Sequence, residues 1–69
     1  MKNTNRILKL PEVIRVSGLA RSTIYLKISQ GSFPLPIKLG ARSVGWIEAE
    51  IQDWIDQRIH DSRVSNSAS

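Results

Sequence analysis

Seven consecutive positions, Arg21 to Lys27, carry a guanidinium, two aliphatic hydroxyls, a phenol and an ammonium, with no carboxylate among them. Such groups bind rather than react. An arginine presents forked donors that match a guanine edge or a phosphate. Hydroxyl, phenol and ammonium groups donate to phosphate oxygens and fix position on a polyanion. Catalysis asks for other pairings. There is no Cys, and His60 is the single histidine, so neither a thiolate metal site nor a Cys–His nucleophile can be assembled. Glu48, Glu50 and Asp53 come nearest to a carboxylate set, but positions 48 and 50 face different ways on a helix. Without a nucleophile–base pair or a glycine-rich phosphate loop, no enzymatic activity, catalytic residue, metal or cofactor is expected.

Charge is distributed in the same sense. Residues 1–47 hold eight cations and one acid, Glu12, a net of +7; residues 48–69 hold two cations and five acids, a net of −3; together they make the +4 of the whole chain. No acid occurs in the 35 residues from Val13 to Ile47. A basic face toward a nucleic acid and an acidic face toward solvent follow from this division. The longest apolar runs are two or three residues, far short of the roughly 20 that span a bilayer. No secretory signal pattern opens the chain, so a cytoplasmic protein is expected, nucleoid-associated when bound.

These side chains need elements to hold them. At 69 residues the chain has room for one domain with a compact core. Ile7, Leu8 and Leu10 form an apolar stretch that either extends or enters the first helix. Pro11 suits the first position of a helix, Glu12 suits its positive end, and Leu10, Val13 and Ile14 make one apolar stripe. Gly18 ends this helix after two turns. A second helix is expected from Ala20 or Arg21 to Gln30. Ala20, Ile24 and Ile28 lie on one side of it and Ser22, Tyr25, Leu26 and Ser29 on the other, with Arg21 at the flank. Ala20 is a poor N-cap, so packing must hold this helix start. Gly31 stops the helix, and Pro34 and Pro36 prevent its resumption. Ile37–Leu39 and Ser43–Trp46 read as a hairpin around Gly40-Ala41-Arg42. Ile47, Ile51, Trp54, Ile55 and Ile59 stripe a third helix, with acids in its first turns and Arg58 near its end. Residues 1–6 read as a flexible leader and the Ser/Asn-rich residues 61–69 as a disordered tail, leaving 7–60 as the domain. Trp46, Trp54, Phe33 and the isoleucines are its expected core.

Helix, glycine turn, helix and then a hairpin is the order of a winged helix-turn-helix: mostly α, three helices plus a wing, with the second helix in a DNA major groove. The expected DNA-binding residues are Arg21, Ser22, Thr23, Tyr25 and Lys27 on that helix and Lys38 and Arg42 on the wing. For several the alternatives stay open: Ser22 and Thr23 could satisfy first-turn N–H groups, and Lys27 could lay its stem along the core. Leu26 could meet a thymine methyl or a neighbouring molecule.

Several segments taken together resemble the AlpA-type prophage regulators, which are small MerR-like and excisionase-like winged helix-turn-helix proteins. They are Leu10-Pro11-Glu12-Val13, Gly18-Leu19-Ala20-Arg21-Ser22-Thr23-Ile24-Tyr25, Phe33-Pro34, Lys38-Leu39-Gly40, and Ser43-Val44-Gly45-Trp46-Ile47-Glu48-Ala49-Glu50-Ile51 followed by Trp54. The likeness runs from about Ile7 to Arg58. It implies a transcriptional regulator of a prophage or genomic island, and some such proteins also act as recombination directionality factors that help an integrase excise the element. By the same resemblance Arg21, Ser22, Thr23 and Tyr25 belong to the recognition helix and Arg42 to the wing. Many relatives carry a basic residue where this chain has Leu26 and an apolar one where it has Lys27. The implied partners are double-stranded DNA, an integrase or RNA polymerase, and a second copy of the chain as a homodimer or a cooperative multimer on DNA. A different reading, a protein-interaction module such as an antirepressor or inhibitor, would use Leu26 and the acidic third helix instead.

Overall fold

A computed structural model of the chain describes residues 6–68. In chain order it contains β1 (Ile7–Leu8), α1 (Leu10–Ser17), α2 (Arg21–Ser29), β2 (Ile37–Lys38), β3 (Val44–Ile47) and α3 (Glu48–Ala68). The mostly helical architecture with its small antiparallel sheet is that of a winged helix-turn-helix.

Each end of α1 has a local cause. The Glu12 carboxylate accepts the Lys9 N–H at 3.0 Å, satisfying one of the orphan donors of the first turn. Pro11 occupies the second helical position rather than the first, because the helix begins at Leu10. Gly18 adopts φ 74° and its N–H reaches the Ile14 carbonyl at 2.9 Å, a left-handed stop that a residue with a Cβ enters at a cost. Gly31 repeats the device after α2 in fuller form: it also sits at φ 74°, its N–H bonds Ile28 O at 3.0 Å, and Ser32 N–H bonds Lys27 O at 2.8 Å. These two bonds make a Schellman closure.

The sheet is three-stranded, in the order β1-β3-β2. Ile7 pairs with Ile47 and Leu8 with Trp46, while Ile37 pairs with Gly45 and Lys38 with Val44. The apolar stretch at Ile7–Leu8 is therefore a strand, and Leu10 enters α1. Arg6, expected in the leader, accepts the Glu48 N–H on its carbonyl at 2.7 Å; the rest of the leader lies outside the described residues. Ile47 leaves the helical stripe to close the strand. Gly45 shows why β1 can approach: a Cβ there would stand 2.5 Å from Ile7 Cγ2 and 3.2 Å from Leu8 O.

Leu8, Val13, Ile24, Phe33, Trp46 and Ile51 form the buried core, with Leu10, Ile14, Leu19, Ile28, Val44, Trp54 and Ile55 packed against it. Both indoles are tethered: Trp46 Nε1 donates to Pro34 O at 3.0 Å and Trp54 Nε1 to Ser32 O at 2.7 Å. Phe33 meets Trp54 edge-on at 4.8 Å. Two isoleucines depart from expectation: Ile37 and Ile59 are exposed, the first on the short outer strand β2 and the second beyond the reach of the core. The third helix also runs on to Ala68, past residue 60, where a tail was expected; no glycine or proline follows Gly45 to stop it.

Candidate nucleic-acid interface

The α2 helix is placed by little of its own making. Its N-cap, Ala20, is extended at φ −73° and ψ 158° but offers no side-chain bond, and Ile24 is the one fully buried residue of the helix. What positions it is α1 through the Gly18 turn, where Leu19 N–H bonds Ser17 Oγ at 3.2 Å, and the core that Ile24 enters.

Held this way, α2 exposes the side expected from its periodicity. Arg21, Ser22, Tyr25, Leu26 and Ser29 are all exposed, while Thr23 and Lys27 are half-buried. Tyr25 keeps 41% and Leu26 56% of their surface open. Among the described residues, none of Arg21, Ser22, Thr23, Tyr25 and Lys27 spends its side-chain polar atoms on a bond inside the chain; Ser29 does, donating to Leu26 O at 2.7 Å. An unspent donor is available to an external acceptor, and a bonded one must first be released.

The hairpin supplies the remaining candidates. Leu39 N–H and Gly40 N–H converge on Ser43 O at 2.7 Å and 3.3 Å, which closes the turn and leaves Lys38 and Arg42 exposed. One residue not singled out from the sequence joins them: Lys9 Nζ lies 3.3 Å from Ser43 Oγ, so its ammonium sits beside the chain neighbour of Arg42. Nothing local in the sequence signals this, because 34 positions separate the two residues.

No group of three or more His, Cys, Asp or Glu side chains able to hold a metal occurs among the described residues, and Glu48, Glu50 and Asp53 share no hydrogen bond there. No described helix is long and apolar enough to cross a membrane.

Comparison with known proteins agrees with this architecture. Residues 6–59 match the family of the prophage CP4-57 regulatory protein (AlpA). The DNA-binding transcriptional activator AlpA of Escherichia coli K12 is 51% identical, over 77% of this chain and 84% of that protein. The uncharacterized protein ORF88 of Enterobacteria phage P4 is 44% identical, over 78% of this chain and 61% of its own length. With a family match across most of its length and a relative identical at half the aligned positions, the chain belongs to the AlpA family of prophage regulatory proteins.

Proposed function

We propose that this protein is a sequence-specific double-stranded DNA-binding regulator of transcription on a prophage or genomic island. The observation that carries the reading is the exposed, carboxylate-free face of α2, where the side chains of Arg21, Ser22 and Tyr25 have no hydrogen-bond partner among the described residues. The α2 helix lies in the major groove; Arg21 reads a base edge or clamps a phosphate, Ser22, Thr23 and Tyr25 fix the helix against the backbone, and Lys27 adds charge along its stem. Lys38, Arg42 and Lys9 hold the flanking backbone through the wing. The name of the E. coli relative, a DNA-binding transcriptional activator, supports the same reading, and the protein acts without chemistry of its own.

A gel-shift titration against DNA from the protein's own genetic neighbourhood tests this. Affinity should fall steeply as salt rises, because each phosphate contact releases counterions. Arg21→Ala should weaken binding by about 1–3 kcal/mol, and Arg42→Ala should reduce the salt slope by about one phosphate contact. If both variants bind like the parent, the site is elsewhere. Action on an integrase promoter and action as an excision factor are two uses of the same surface. A promoter reporter, and an excision assay with the integrase supplied separately, distinguish them.

A further inference from the structure

Ile59 continues the apolar series of α3, yet 44% of its surface is exposed. The last residue of that series packed on the core is Ile55, and every residue from Asp56 to Val64 is exposed. Along this stretch Gln52, Asp56, Ile59 and Arg63 recur every three or four positions, on the side of the helix turned away from Ile51 and Trp54. Asp56, Ile59, His60, Arg63 and Val64 line a shallow open groove there.

We propose that this outer face of α3 is where two copies of the chain meet, antiparallel, about a two-fold axis passing between Ile59 and His60. The charges require that arrangement. Asp56 and Arg63 are seven positions apart, roughly 10.5 Å along the helix, and their midpoint falls between Ile59 and His60. An antiparallel second copy sets each Asp56 against the Arg63 of the other and gathers the Ile59 and His60 side chains of both copies around the axis. A parallel copy would stack like charges at both ends. The face is thus complementary to itself, as a closed two-fold contact must be. Arg63 makes no ion pair among the described residues, and Asp56 accepts the Gln52 amide at 3.0 Å on one carboxylate oxygen, which leaves its charge without an ionic partner among those residues.

One helix face of this length lies well below the roughly 1,000 Å² expected of a stable complex. The contact is therefore weak in free solution and takes effect when something holds two copies side by side. Adjacent sites on one duplex do so by raising effective concentration; this last step rests on the DNA-binding reading above, whereas the contact itself does not.

Because the chain has no cysteine, single introduced cysteines report the contact without background, and without DNA. In concentrated protein under mild oxidation, His60→Cys should form a disulfide dimer about tenfold faster than Ser62→Cys, at an exposed position on the side of the helix that carries Ile51 and Ile55. Adding Asp56→Arg or Arg63→Asp to His60→Cys should lower the rate to that of Ser62→Cys, and adding both should restore it, with circular dichroism unchanged throughout. Equal rates for the two cysteine variants, or no recovery in the double exchange, would overturn the proposal. Dimers that form but show no DNA affinity would sink the DNA reading alone; DNA binding without position-dependent crosslinking would sink this one alone.

Discussion

The second and third helices solve the problem of being a helix in opposite ways. The α3 helix satisfies itself. Glu48 and Glu50 stand in its first turn, where the dipole favours them. Gln52 bonds Asp56, Gln57 bonds Asp61, and Arg58 reaches Asp61 at 2.7 Å, while the Arg58 guanidinium covers the Trp54 ring at 5.6 Å. The α2 helix has no acid in its first turn and no capping side chain, and apart from Ser29, which donates to Leu26 O, its exposed side-chain donors are uncommitted among the described residues. Polar groups that stabilise α3 are turned inward on the helix itself; those of α2 are left for a partner, and the core bears the cost. A surface made for binding is recognisable here by what its side chains do not do.

This contrast can be broken at the anchor. Ile24→Ala removes the one buried residue of α2 and should cost about 2–5 kcal/mol, seen as a large drop in melting temperature with DNA binding lost alongside it. Gly45→Ala places a Cβ against β1 and should cost about 1–3 kcal/mol by overpacking, measurable by denaturant titration. Arg21→Ala should leave stability within about 0.5 kcal/mol while weakening DNA binding by about 1–3 kcal/mol, separating the roles of anchor and reader.

Two smaller changes sharpen it. Ala20 already has the extended backbone of an N-cap, so Ala20→Ser and Ala20→Asp should each raise stability by about 1 kcal/mol. They should part on DNA: the serine variant binds like the parent, whereas the carboxylate repels phosphate and weakens binding. Last, ending the chain after His60 removes residues outside the core and should change stability by under about 1 kcal/mol.

The sequence disclosed what single residues decide. Gly18 and Gly31 mark the helix ends because a left-handed backbone position favours glycine, and both take it. Val13, Ile24 and Ile51 were legible as core from their period, and Trp46 from the apolar area it brings to a small protein. What stayed hidden depended on distant pairing. Ile7 and Ile47 are 40 positions apart, and two apolar residues carry no mark of the strand they will join. Ile47 fits the helical stripe of Ile51 and Ile55 as well as it fits a strand, and only the pairing with β1 decides. Ile59 obeys the same stripe but lies where the core has ended, since periodicity names a face and not what covers it. In the candidate site, exposure of Arg21, Ser22, Tyr25, Lys38 and Arg42 followed from pattern, whereas the approach of Lys9 to Ser43 required the fold.

Backbone amide chemical shifts followed through a titration with duplex DNA from the protein's own locus report directly which of the two helices faces the nucleic acid. The perturbations are expected to gather on Arg21–Ser29 and on the hairpin residues 38–43, with the outer positions of α3 unmoved at one copy per duplex. Shifts concentrated on Asp56–Arg63 while Arg21 and Tyr25 stay in place would contradict the account.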